Sequence, residues 1–368
     1  MRLLASGIDT LNLSVQGTIR ESVWDLLGEV QRRARDKENS ELVSFPVTEE
    51  AFECRPYGRR GYAFWLSSPD FELIVGRSTK FPEVLVELHS AFLHSMGIDA
   101  ALDQVERLLR LDLIAGPFKE GVSRIDLHAD VQGWVLRTAD LDRFVGYGRH
   151  RRAFEDNRQV FQSGSRLSGF MFGKDALVAR IYDKTAEIRR HGVSWLPDLW
   201  GEDFASGLPV WRVEFQFRRE ALTDFQAKSV DDVIASVQDL WHYGTVKWLS
   251  LRVPTGDPRR RRWPVDPAWE DIRAVRIAPT MTGLVRGRIE QASELKLLQG
   301  IQGYATSLAA VRGRDQRDQA LTDIGTLIDR YLAAKGLAFE GEVVRKRARR
   351  LSVTSWLDPA AVAEGDVA

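Results

Sequence analysis

A tyrosine leaves a β-prone run between two cations. In the stretch ALVARIYDKTAEIRRHG, Leu177, Ala179 and Ile181 alternate with Val178, Arg180 and Tyr182. That imperfect period of two reads as a half-buried strand. Lys184 continues the face of Arg180 and Tyr182, and TAEIRR has the composition of a helix. Such a tyrosine is either surface packing or a nucleophile held among cations. A phenol with a pKa of about 10 attacks poorly near neutral pH. Neighbouring positive charge favours the phenolate, so Arg180 and Lys184 have a chemical purpose if Tyr182 is the nucleophile.

Acids recur on other strands. Side chains alternate faces along a strand, so in SRIDLHAD the residues Arg124, Asp126, His128 and Asp130 share one face. In VWRVEFQFR it is Arg212, Glu214, Gln216 and Arg218, and in VLVELHS it is Leu85, Glu87 and His89. An antiparallel sheet with one wet side accounts for any one of these strands. Glu87, Asp126 and Glu214, however, each sit mid-strand among apolar neighbours, where acids are depleted. Three carboxylates on one face repel unless positive charge lies between them. A hard divalent cation, Mg²⁺ or Mn²⁺, takes such oxygen ligands, with His89 or His128 as a further, softer candidate.

Other chemistries find no motif. There is no P-loop, dinucleotide-binding glycine fingerprint, His-x-His, HExxH or serine elbow. A single cysteine, Cys54, excludes an internal disulfide framework and a cysteine-rich zinc site, and a reducing cytoplasm is the expected compartment. No apolar run approaches the roughly 20 residues that span a bilayer. The net charge is zero, but residues 251–368 carry 20 Lys and Arg against 15 Asp and Glu. The basic runs RRRRW at 259–263 and RKRARR at 345–350 are solvated faces or phosphate contacts.

The elements that must position these residues follow from patterning. Strands are expected at 10–17, in the hairpin GYAFWLSS/FELIVGR, at the start of EVLVELHSAFL, at 122–133, in GFMFGKDALVARIYD with its turn at Gly173-Lys174-Asp175, and at 209–222. Helices are expected at 18–36, over GIDAALDQVERLLRLD, and from a Ser229 cap onward. Strands that cluster in hairpins indicate α+β, an antiparallel sheet core with flanking helices followed by a mainly helical C-terminal part. The expected division is 1–224 for the sheet body and 225–368 for a helical, partly basic region serving DNA binding or dimerisation.

The stretch GFMFGKDALVARIYDKTAEI, with SRIDLHADV before it and WRVEFQFRREAL after it, resembles the replication initiation factor family. Its members are trans-acting initiators of rolling-circle plasmids and phages, and related mobilisation relaxases. The resemblance spans roughly residues 8–275, and Arg-Ile-Tyr-Asp-Lys is its specific part. It implies that Tyr182, with Lys184 beside it, attacks a DNA phosphate and becomes linked to the 5′ end, leaving a 3′-OH primer. It implies a divalent metal held by Glu87, Asp126 and Glu214. Arg124, Arg180, Arg212, Arg259, Arg260, Arg261 and Arg262 are the expected phosphate contacts. The implied partners are origin DNA, single-stranded or cruciform at the nick, a host helicase and polymerase, and a second copy of the chain. The chain opens directly into its first core strand, which favours an initiator over a mobilisation relaxase. A non-catalytic DNA-binding regulator would need neither the tyrosine nor the acids, and a water-using phosphodiesterase would leave Tyr182 only lining the site.

Overall fold

A computed structural model of the chain describes residues 1–77, 81–146, 158–191, 193, 195–227, 229–277, 301–341 and 343. The basic run 345–350 and Tyr147 lie outside the described residues. Among the described residues, eleven strands form one antiparallel sheet. Its centre is two long strands, β1 (Arg2–Ile19) and β7 (Ile114–Gln132). Beyond β1 follow in turn β6 (Val84–Leu88), β5 (Phe71–Val75), β4 (Phe64–Ser67), β3 (Ala51–Cys54) and β2 (Glu41–Ser44). Beyond β7 lie β12 (Val210–Arg218), β11 (Leu177–Asp183), β10 (Arg166–Lys174) and β9 (Gln159–Ser163). A small second sheet pairs β8 (Phe144–Gly146) with β13 (Leu249–Leu251). The architecture is α+β, as the clustering of hairpins predicts.

One face of the sheet is the core. Leu11, Leu13 and Val15 of β1, Ile125, Leu127 and Ala129 of β7, and Val213, Phe215 and Phe217 of β12 are all buried there. Helix α1 (Glu21–Asp36) covers part of it through Val23, Leu27, Val30 and Ala34, spaced at helical period. Helices α2 (Ser90–Met96) and α3 (Ile98–Leu108) add Phe92, Ala101 and Val105 to the same cluster. The β10–β11 hairpin turns where expected. Gly173 and Asp175 both adopt positive φ, at 75° and 57°, and a Cβ on Gly173 would lie 2.6 Å from the Leu177 carbonyl oxygen. Only glycine fits there.

Ser229 caps the following helix with a reciprocal bond pair to Asp232, as its position suggests. The helices from 230 to 274 share the sheet's core. Trp241 and Trp269 are fully buried in the same apolar cluster as β1 and β7, and their indole nitrogens donate to the carbonyls of Ile272 (3.0 Å) and Thr245 (2.9 Å). The change in composition near 225 therefore marks a switch from strands to helices within one core that continues to Ile277.

A buried carboxyl just before β3 gives a stability prediction. Glu50 accepts a bond from Gln104 at 2.7 Å, and burial pushes its pKa up to about 7 despite that bond. The unfolded chain loses this proton near the ordinary value of 4.5 and the folded chain near 7, so stability falls as pH rises through that interval and the full cost applies above it. Glu50→Gln is expected to gain about 2 kcal/mol at pH 8 and little near pH 5. Denaturant melts of both proteins at the two pH values check this.

Candidate active site and metal-binding cluster

Strand registers set the polar face out in rows. One runs Ala5–Asp130–Arg212–Tyr182–Gly169–Phe161, and the next runs Gly7–His128–Glu214–Arg180–Met171. A third holds Thr10, Asp126 and Gln216. Over these rows lies a cleft of about 360 Å³ whose walls include Asp9, Arg124, Asp126, Phe161, Arg180, Tyr182, Lys184 and Glu214.

Tyr182 is the chemical centre of the cleft. Its hydroxyl donates to Glu214 Oε2 at 3.1 Å and accepts from Lys184 Nζ at 3.3 Å. The turn that brings the lysine back is fixed by the residue between them. Asp183 Oδ1 caps helix α4 (Lys184–His191) through the Ala186 N–H at 3.0 Å, and Arg166 holds its other oxygen at 2.8 Å. Lys184 also pairs with Glu187 at 2.6 Å, and Arg180 bridges Glu214 Oε1 (2.8 Å) and Gln216 (3.0 Å). The cations are thus largely matched by acids. Burial, and then the charge of Glu214, raise the Tyr182 pKa well above 10, outweighing Arg212. The ground state is a neutral phenol held against a carboxylate. This corrects the expectation of a phenolate stabilised by neighbouring cations.

The three expected metal acids do not converge. Asp126 is gripped by both arms of Arg124, one bond measuring 2.8 Å. Burial and then the nearby Glu214 raise its pKa to about 7 even against that guanidinium. Glu214 serves Arg180 and Tyr182. Glu87 lies beyond β1, outside the cleft, where Arg60 and Arg59 (3.2 Å) hold it. Each of the three acids has an arginine partner of its own, and Asp126 and Glu214 still repel one another across the cleft.

The expected phosphate contacts divide into three groups. Arg124 and Arg180 are part-exposed on the cleft. Arg212 departs from expectation. It is fully buried, bound to Asp9 and through two bonds of 2.6 and 2.8 Å to Asp130, so it supports the site from beneath and touches no phosphate. Arg259, Arg260, Arg261 and Arg262 are all exposed on a turn, and none of them lines the cleft. A single 3-10 turn over Arg260–Arg262 follows Arg259. Arg260 donates to the Asp142 carbonyl at 3.0 Å, and Arg262 lies 3.7 Å from Asp257. Arg261 therefore cannot be grouped with Arg124 and Arg180 at the tyrosine, and the same holds for its three neighbours. Any phosphate they meet lies outside the cleft. Replacing these four with alanine is expected to lower the salt dependence of DNA binding by up to about one logarithmic slope unit per lost phosphate contact, measured by anisotropy titrations across salt. An unchanged slope makes the run a solvated turn.

Among the described residues, a metal-capable group forms elsewhere. Asp9, His94 and His128 place one ligand atom each within 4.8 Å of one another. Asp9 reaches the polar face through a β-bulge. The register against β7 slips between Ile8 and Thr10, and Ile8 and Leu11 both face the core, so Asp9 and Thr10 are turned together into the cleft. His94 comes from helix α2, whose Ser90 donates to Asp9 at 2.7 Å. His94 Nε2 and His128 Nε2 face each other at 3.1 Å, and His128 Nδ1 lies 3.4 Å from Asp130 Oδ1. The Asp130 carboxylate thus lies behind the His128 ring, as a carboxylate commonly does behind a histidine ligand. Burial and the neighbouring His128 push the His94 pKa down to about 3, so it stays neutral. Burial alone would raise the Asp9 pKa, but Arg212, His128 and Lys184 hold it well below the usual carboxylate range. Two histidine nitrogens and an anionic carboxylate oxygen make a donor set that fits a first-row divalent ion such as Mn²⁺ better than Mg²⁺.

Sequence reasoning points to His128 but misses Asp9 and His94. The three-residue step from Ile8 to Leu11 in an otherwise alternating strand is the available signal for the bulge. His89, the other histidine considered, stands at the start of α2 with no side-chain bond to the helix, its Nδ1 lying 3.0 Å from the Pro69 carbonyl oxygen. Cys54 is buried, and burial pushes its thiol up to about 11, as suits a structural residue.

Compared with known proteins, the sequence matches no family model and no curated protein. Among solved structures it is similar to a rolling circle replication initiator protein from Geobacillus stearothermophilus. The two are 14% identical, and the match covers 75% of this chain and 99% of that one with a TM-score of 0.44. At that distance the likeness carries no argument about chemistry. No helix among the described residues is long and apolar enough to cross a membrane.

Proposed function

We propose that the protein nicks and rejoins DNA through Tyr182, as an initiator of rolling-circle replication. The observation that carries this reading is the Tyr182 hydroxyl held between Glu214 and Lys184 in a cleft edged by Arg124 and Arg180. Glu214 is the general base. As the Tyr182 oxygen bonds to phosphorus, its proton passes to Glu214 and the bond from phosphorus to the 3′ oxygen breaks, that oxygen taking a proton from water as it leaves. Lys184 and Arg180 oppose the charge gathering on the phosphate oxygens. The products are a 5′-phosphotyrosine and a 3′-OH that a polymerase can extend. The covalent link keeps the energy of the phosphodiester, so the reverse attack rejoins ends without ATP.

Asp9, His94 and His128 would hold the divalent ion, with Asp130 and Arg212 fixing His128 and Asp9 from behind. A bound ion there would supply Lewis-acid polarisation of the phosphate. A base acting during attack accommodates a phenol whose pKa is raised, because no free phenolate has to be populated first.

The test is incubation with supercoiled plasmid carrying a cognate origin, with Mn²⁺, with Mg²⁺ and with chelator, followed by a search for DNA-linked protein. The expected result is metal-dependent nicking with an adduct mapping by mass spectrometry to the peptide containing Tyr182. Cutting without any adduct would overturn the tyrosine mechanism in favour of water as the nucleophile.

A further inference from the structure

The cleft is chemically divided. Its Arg124, Arg180, Lys184 and Glu214 side is charged, whereas the side formed by β9 and β10 presents Phe161 and Met171. Phe161 is 46% exposed, an unusual placement for a phenylalanine on a strand that has a core face available. Its neighbour Val160 takes that core face. Phe161 pairs with Gly169, and Gly169 pairs with Tyr182, so the two rings flank a strip of bare backbone with Cα positions roughly 10 Å apart. The gap is built in. A Cβ on Gly169 would lie 2.9 Å from Tyr182 Cβ and 2.8 Å from the Ile181 carbonyl oxygen, so any side chain there would displace the tyrosine.

We propose that Phe161 is a stacking platform for an unpaired nucleobase next to the scissile phosphate. This rests on the nicking function proposed above. A nucleotide has the same division as the cleft, an anionic phosphate and an apolar base face. With the phosphate at the Tyr182 hydroxyl, the apolar side of the cleft lies across Gly169. A base inside a duplex has both faces covered by its neighbours, so an aromatic ring in this position engages only a base already out of the stack. Stacking tolerates every base, so Phe161 contributes affinity and position while sequence choice comes from elsewhere.

The experiment uses the full chain carrying Tyr182→Phe, so that binding is measured without turnover. The probe is an oligothymidylate of about a dozen nucleotides with a single 2-aminopurine moved along it. Phe161→Trp is expected to retain affinity and to quench the 2-aminopurine in one register. Phe161→Ala is expected to lose that quenching and to weaken binding by about 10-fold or more. An equal length of duplex should bind with no dependence on residue 161. Unchanged affinity and quenching in Phe161→Ala would overturn the platform even if wild-type protein forms its adduct. A Phe161 effect on single strands with no adduct from wild type would leave the platform standing and refute the nicking reading alone.

Discussion

Tyr182→Phe is expected to bind DNA as wild type does and to nick it more than about 10³-fold more slowly, the scale of loss seen when a covalent nucleophile is removed. The substitution deletes one oxygen and keeps the ring, so the packing against β10 at Gly169 is preserved. Glu214 loses the phenol hydrogen bond but keeps Arg180 at 2.8 Å, so no buried carboxylate is stranded and the fold should hold. Neither of two other tyrosines offers a comparable setting. Tyr243 packs edge-on against Phe225 with ring centroids 4.9 Å apart, and Tyr304 is 82% exposed on the surface. Gel assays of supercoiled substrate and a search for the peptide adduct check the result. An adduct that survives in Tyr182→Phe refutes this assignment.

Much of this site can be read from alternation. The face shared by Arg180, Tyr182 and Lys184, and that of Arg124, Asp126, His128 and Asp130, follow from a period of two, which the backbone imposes regardless of tertiary context. Alternation assigns residues to a face but does not say which of them meet across it. Glu87 is on the right face and the wrong side of β1, where Arg59 and Arg60 claim it. Arg212 is likewise on the polar face, but α5 (Leu196–Trp200) covers that end of the sheet, and the Trp200 indole donates to Asp130 at 2.8 Å. A guanidinium that reads as solvent-facing is a buried strut. The metal-capable group is the least legible part because it joins a bulge, a helix and a strand far apart in sequence. Local pattern carries no information about such a meeting, apart from the broken step at Ile8–Leu11. The segment after 225 is legible as helix, but only its tryptophans, buried against β-strand residues, reveal that it completes the same core.

Glu214→Gln separates the two roles this acid can be given. As a metal ligand it would supply an anionic oxygen, and its amide should reduce metal binding together with activity. As general base it must accept the Tyr182 proton, and glutamine keeps the size and the acceptor oxygen but cannot take that proton. The geometry favours the second role. One oxygen is 3.1 Å from the phenol, the other is committed to Arg180, and the metal-capable group is assembled by Asp9, His94 and His128. Nicking by Glu214→Gln is therefore expected to fall by about 10²- to 10⁴-fold, the usual contribution of a positioned base, with Mn²⁺ stoichiometry by mass spectrometry of the purified protein unchanged. Asp9→Asn should behave in the opposite way, lowering bound Mn²⁺ while leaving the Tyr182–Glu214 pair in place. If Glu214→Gln instead sheds the metal and Asp9→Asn keeps it, the ion belongs among the strand carboxylates and the base must be sought elsewhere.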